Sequence, residues 1–301
     1  MSSAATSIVQ VERPRSQKAV ESAQTVAALR AISARADRLS ALGNDPFARH
    51  FLDCRHWLLT QLVPRPLLRR IVERRAPGSL GFSLIRTREF DQALTLELER
   101  GAMQIVLLGA GYDTRALRFA DLIQSRLVFE LDHPATQERK LDRLSRACLE
   151  FPDNVLFVPV DFNAIQGRFE RALLDAGFDQ SLTTLFLWEG VSYYLPESSV
   201  RRVMNFVRAC GRNSSIVFDY ALRAFVEGDH GTFGGVQVAR WLERIGEPFH
   251  FGLAPDEVEP FLSSCGLTLE RDLGPEELEQ LHLPRDCRTL GHVRIACARA
   301  V

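Results

Sequence analysis

MQIVLLGAGYDTRALRF, residues 103–119, decides the fold. It opens on the apolar run Ile105, Val106, Leu107, Leu108, and an apolar run bounded by glycine suits a strand buried on both faces. Gly109 and Gly111 flank Ala110 just past its end, where glycine lets the backbone turn sharply and approach a ligand closely. Asp113 or Thr114 supplies an N-cap for the amphipathic run that follows. The expected unit is strand, glycine turn, helix, with a ligand over the turn.

A dinucleotide would call for a third glycine, so that its pyrophosphate can rest on the helix end. Thr114 occupies that position. The pattern therefore favours a ligand without a pyrophosphate, such as S-adenosylmethionine.

Downstream, strand and helix patterns alternate. Residues 126–132 (RLVFELD), 155–162 (VLFVPVDF), 183–189 (TTLFLWE) and 215–220 (SIVFDY) read as strands. Residues 134–149, 169–176 and 196–210 read as the helices between them, the last stopped by Gly211. The alternation implies a doubly wound, mostly parallel α/β sheet, which binds ligands at the carboxyl ends of its strands. It stops at 221–255, a glycine-rich loop (228–235) and a helix with Trp241, read as a lid insertion. A helix over 255–265 follows, then strands at 267–273 and 292–298 that pair antiparallel, giving seven strands with the last reversed. Upstream, helices are expected over 21–40, 47–62, 67–75 and 82–100.

With 301 residues, 46% hydrophobic, the chain can build one large α/β domain or a domain with an extension. Its net charge of -1 gives no footprint for nucleic acid or an anionic membrane. No apolar run approaches the roughly 20 residues of a membrane span. The first fifteen residues lack the apolar core of a secretory signal. Six cysteines without CxxC spacing fit reduced thiols in the cytoplasm. The histidines and acids show no metal-ligand spacing, so no metal is expected.

Glu130 and Asp132, two apart and so on one strand face, lie where a carboxylate would hold a ribose diol; Asp132, nearer the strand end, is favoured. Asp161 and Phe162 fit an adenine amino group and ring. Glu189, ending the strand that borders the first, fits a methionine ammonium. Tyr193 and Tyr194 fit the wall of an acceptor pocket. Arg86 or Arg88, before the first strand, fits the methionine carboxylate by a bidentate pair.

LLGAGYDTR (107–115), FELDHP (129–134), Val160-Asp161 and WEGVSYYLP (188–196), in this order, resemble the leucine carboxyl methyltransferase family and its bacterial relatives. Arg86-Thr87-Arg88 is similar to that family's arginine motif. The resemblance covers roughly residues 20–220. It implies a class I, Rossmann-like methyltransferase fold with S-adenosyl-L-methionine as cofactor, held by Arg86, Gly109, Ala110, Gly111, Asp132, Asp161, Phe162 and Glu189. It also implies a basic residue from the N-terminal helix on the cofactor, with Arg35 nearest. Residues 1–100 are then a helical cap and 101–301 the cofactor-binding domain, with the lid at about 221–255. The bacterial relatives point to O-methylation of a small-molecule, natural-product carboxylate or hydroxyl. A protein C-terminal carboxyl group is the alternative acceptor.

Methyl transfer from a sulfonium is an in-line displacement, in which alignment and exclusion of water supply most of the catalysis. A carboxylate acceptor is ionised at neutral pH and needs no base, whereas a hydroxyl needs one. His230 and His250 lie in the lid, but the sequence assigns no catalytic base, and that favours a carboxylate acceptor. Two readings of other kinds remain: a nicotinamide-dependent oxidoreductase, against which Thr114 counts, and a nucleoside-binding protein without turnover.

Overall fold

The computed structural model describes residues 24–32, 45–162 and 168–300. After a helical segment over 24–32 come a short turn (Ala48–Phe51) and three helices, α1 (Cys54–Leu62), α2 (Arg65–Arg75) and α3 (Ser79–Glu99). The sheet is built from β1 (Gln104–Leu108), β2 (Leu127–Asp132), β3 (Val155–Pro159), β4 (Thr184–Trp188) and β5 (Ser215–Leu222). Helices α4 (Pro134–Arg146), α5 (Arg168–Asp175) and α6 (Glu197–Arg208) lie between them in the chain. Then follow α7 (Gly235–Ile245), β6 (Gly252–Leu253), α8 (Val258–Ser264), β7 (Leu267–Leu273), α9 (Pro275–His282) and β8 (Val293–Ala300).

The strand order is β3-β2-β1-β4-β5-β8-β7, with β6 set against β5. β1 to β5 pair in parallel, and β8 runs antiparallel to both β5 and β7. The mostly parallel, doubly wound sheet expected from the alternation is the sheet observed, with the two-residue β6 as an addition. The order reverses between β1 and β4, which opens a crevice at the carboxyl end of β1.

Strand periodicity splits the core. Val106 and Leu108 join Phe129, Leu131, Phe186 and Trp188 on one face, and Ile105 and Leu107 join Val128, Leu185 and Leu187 on the other. Both faces are covered, so all five residues of β1 are buried, as its continuous apolar run requires.

Four local expectations change. The helix after the glycine turn is two four-residue turns, Arg115–Arg118 and Ala120–Ile123. Arg115 and Arg118 reach Asp91 on α3 at 2.8 and 2.6 Å, which ties the first turn to that helix rather than to a long axis of its own. The helix expected over 47–62 breaks before α1, where Asp53 accepts the His56 N–H at 2.7 Å and starts a new helix. β3 ends at Pro159, one residue before Val160 donates its N–H to the Asp132 carbonyl at 2.8 Å. Gly211 does not act as a left-handed cap: a Cβ there would lie 2.4 Å from the Ser181 carbonyl oxygen, so it serves a close approach before β4. No helix among the described residues is long and apolar enough to cross a membrane.

Candidate active site

The crevice at the end of β1 is a cleft of about 550 Å³. Arg86, Gly109, Ala110, Gly111, Asp132, Asp161, Phe162, Glu189, Tyr193 and Tyr194 all line it. Arg88 is not on its lining, and Arg35 lies outside the described residues.

The turn between β1 and the first short helix is fixed from both sides. Gly109 has φ +68°, and a Cβ built on it would lie 2.4 Å from Val191 Cγ2. Only glycine combines that backbone with that contact. Asp132, at the tip of β2, accepts the Gly111 N–H with one carboxylate oxygen and the His133 N–H with the other at 2.5 Å. Burial pushes its carboxyl up, against the pull of these two donors. Each oxygen keeps a lone pair for a further donor in the cleft.

Glu130 shares the strand but not the cleft. It is buried on Lys140 at 2.5 Å, and burial pushes its carboxyl up to about 7 against the pull of that ammonium. The pair thus separates into a residue on the cleft and a residue buried away from it.

Across the switch point, Glu189 follows β4 directly. Its Oε1 takes Arg30 Nη2 and lies 3.0 Å from Arg86 Nε, and its Oε2 takes Arg115 Nη1 at 2.7 Å. Burial opposes its ionisation, but Arg30, Arg115 and Arg86 together hold the carboxyl well below the usual carboxylate range. Arg86 also donates to Asp219 at 2.9 Å and to the Tyr193 hydroxyl at 3.4 Å. Asp219, fully buried on β5, takes the Gly190 N–H at 2.7 Å with its other oxygen. The Nε atoms of Arg30 and Arg86 are buried without a hydrogen-bond acceptor among the described residues, the Arg86 contact with Glu189 being a charge contact without an aimed N–H.

Several lining or supporting residues escape a reading by motif. Arg30 arrives from the segment over 24–32 and meets Glu189 at the cleft. Arg115 lies within the glycine motif but points under it, to Glu189 and Asp113. Asp219 is one acid inside an apolar strand. Trp241, Gly246, Glu247, Pro248 and His250 come from α7 and the turn after it. His230 is not on the lining; its ring meets Phe225 at 4.9 Å.

Known proteins place this geometry in a family. A family model described as leucine carboxyl methyltransferase matches residues 23–208. YktD of Bacillus subtilis (strain 168), provisionally named an S-adenosyl-L-methionine-dependent methyltransferase, is 37% identical over 200 residues, covering 66% of this chain and 64% of that protein. A protein of Mycobacterium tuberculosis (strain ATCC 25618 / H37Rv) with the same provisional name is 32% identical over 197 residues, 63% of this chain and 61% of its own. The chain therefore spans less than two thirds of the length of these relatives. Among solved structures, a DUF574-family protein from Streptomyces avermitilis superposes with a TM-score of 0.60 at 14% identity, covering 94% of this chain and all of that one. A protein of Thermobifida fusca, provisionally described as a methyltransferase, gives 0.58 at 18% identity, over 92% and 94% of the two chains. At such identity these two likenesses are of fold alone. With more than half of its residues matched by the family model, the chain belongs to the leucine carboxyl methyltransferase family.

Proposed function

We propose that the chain is an S-adenosylmethionine-dependent O-methyltransferase acting on a carboxylate or hydroxyl of a small molecule, of the kind natural-product pathways supply. The observation that carries this reading is a cleft that ends on the Gly109–Gly111 turn, with the Asp132 carboxylate and the Arg30 and Arg86 guanidiniums on its lining. Guanidiniums at one end of the lining suit a methionine carboxylate, and a carboxylate at the other suits a ribose diol. Free cysteines support a reducing, cytoplasmic setting.

When bound, the cofactor supplies a methyl group on a sulfonium, so alignment and exclusion of water are the protein's main tasks. Asp132 offers its remaining lone pairs to the ribose diol. Gly109, Ala110 and Gly111 let the backbone approach the ligand. Asp161 and Phe162 take the adenine edge and face. Arg30 and Arg86 take the carboxylate. Glu189, read first as the ammonium's partner, already faces three guanidiniums; its role here is to gather Arg30, Arg86 and Arg115 as their counter-ion. Tyr193 and Tyr194 wall the acceptor side, and residues 221–255 close over it as a lid of the domain spanning 101–301. Of the cap expected over residues 1–100, the described residues 24–32 and 45–100 serve that role, and the rest lie outside the described residues.

Titration calorimetry with S-adenosylhomocysteine, and with NAD as a control, tests the reading. Heat is expected with the first and not with the second. Asp132→Ala is expected to weaken binding on the order of a hundredfold, through loss of a charge-assisted ribose contact and of the turn it holds. Absence of heat with adenosyl ligands would overturn the assignment, and transfer of labelled methyl to small acids or phenols would establish turnover.

A further inference from the structure

Asp219 is the one acid in β5, a strand otherwise of serine, tyrosine and apolar residues. It is fully buried. A buried ion pair adds little stability over apolar residues of similar size, so an acid in a strand core calls for another use. Its two oxygens have different partners. Oδ2 accepts from Arg86 Nη1 at 2.9 Å, and Oδ1 accepts the Gly190 N–H at 2.7 Å. The Asp219 carbonyl accepts the Ser192 hydroxyl as well. One residue thereby ties α3, which carries Arg86, to the loop that leaves β4.

That loop is shaped around the guanidinium. Gly190 has φ +76°, and a Cβ built on it would lie 3.2 Å from Arg86 Nη1 and 3.6 Å from the Tyr193 hydroxyl. Arg86 Nη1 also donates to that hydroxyl at 3.4 Å. The Phe82 ring, one turn earlier on α3, has its centroid 5.1 Å from the guanidinium carbon. None of these contacts uses Nη2.

Glu189 alone does not aim this group. Its two oxygens serve three arginines, Arg30, Arg86 and Arg115. Its 3.0 Å approach to Arg86 Nε is a charge contact without an aimed N–H. Charge attraction sets a distance, whereas a hydrogen bond also sets a direction. Direction is what a guanidinium needs, because it meets a carboxylate through a rigid planar fork.

We propose that Asp219 is a positioning residue for the cofactor: through Nη1 it fixes the plane of the Arg86 guanidinium, so that the Nη2 edge meets the carboxylate of the methionine arm. This rests on the methyltransferase reading above, in which Arg86 takes that carboxylate. Asp219 is not on the cleft lining, so it acts on the ligand through Arg86. Its bond to Gly190 gives it a structural share as well, and the test separates the two.

Calorimetry with S-adenosylhomocysteine on the wild type comes first; a chain that binds none fails the underlying reading, and this proposal falls with it. In a chain that binds it, Asp219→Asn is the probe. The amide keeps the shape but offers one acceptor oxygen, and its NH2 must face a donor, either Arg86 or Gly190. The variant is expected to bind S-adenosylhomocysteine about tenfold more weakly. 5′-Methylthioadenosine carries the same nucleoside and sulfur without the amino-acid arm, and its affinity should change by less than about twofold. In an Arg86→Met background, Asp219→Asn should likewise change S-adenosylhomocysteine affinity by less than about twofold, because the group it aims is gone. Asp219→Glu keeps the charge and displaces it by one methylene; it should give the same pattern, and it replaces the amide variant if that one does not fold. Unchanged affinity for S-adenosylhomocysteine, an equal loss for 5′-methylthioadenosine, or an equal loss in the Arg86→Met background would each overturn the proposal and leave the cofactor assignment standing.

Discussion

Gly109 does two jobs at one atom: it holds φ +68° and leaves room for the Val191 side chain. Gly109→Ala should therefore cost about 1–3 kcal/mol for the backbone and a similar amount for the contact. Adding Val191→Ala should recover the second part and not the first. Urea midpoints of the two variants and the wild type check this; a single variant as stable as the wild type would refute the geometry. Residues of this kind are legible in the sequence because their cause is local. Gly109, Gly111, Asp132 and Glu189 each sit at or just past the end of an apolar run, and strand ends converge in a parallel sheet. Arg30 and Glu247 reach the cleft, and Asp219 reaches Arg86 and Gly190 beneath it, only through the tertiary return of distant segments. A lone Arg on a helix, or an acid within SIVFDY, carries no local mark of that destination.

Among the elements, the segment over 24–32 has the largest effect for its size. It contributes no strand and yet brings Arg30 to Glu189, and its Ala27 packs in a cluster with Phe51 and Tyr112, whose rings stack at 4.7 Å. Arg30→Ala should weaken S-adenosylhomocysteine binding on the order of a hundredfold, and Arg30→Lys by about tenfold, because lysine keeps the charge and loses the planar fork. Calorimetry of the two variants checks this; equal affinity in all three proteins would remove Arg30 from the site. The helix pattern itself was legible from spacing, but its contact with β4's end was not, since periodicity shows that a face is apolar and not what covers it. The same limit explains the break before α1 and the split after the glycine turn. Caps and ion pairs to another helix decide those boundaries, and neither leaves a periodic trace.

At the scale of the whole molecule, stability should depend on pH in two separate windows. The Glu130 carboxyl is raised from 4.5 to about 7, so the stability it contributes is complete below about 4.5 and is lost as pH rises through about 7. Glu189 is depressed, so its contribution is present above the usual carboxylate range and is lost on acidification. Urea midpoints between pH 4.5 and 7 should fall more steeply in the wild type than in Glu130→Gln with Lys140→Met, which replaces both buried partners. Parallel slopes would show that the pair does not titrate there. The doubly wound, mostly parallel sheet is the most legible large-scale feature, because alternating strands and helices admit few un-knotted windings. β6 was invisible: two residues are too short for any period. The antiparallel β8 has a further consequence. It lies inside the sheet, between β5 and β7. During synthesis, β5 therefore leaves the ribosome with a bare ladder, which waits for a strand beginning only at Val293. Chains interrupted anywhere in that interval display open peptide groups to each other, the condition for aggregation rather than for a shortened but folded protein.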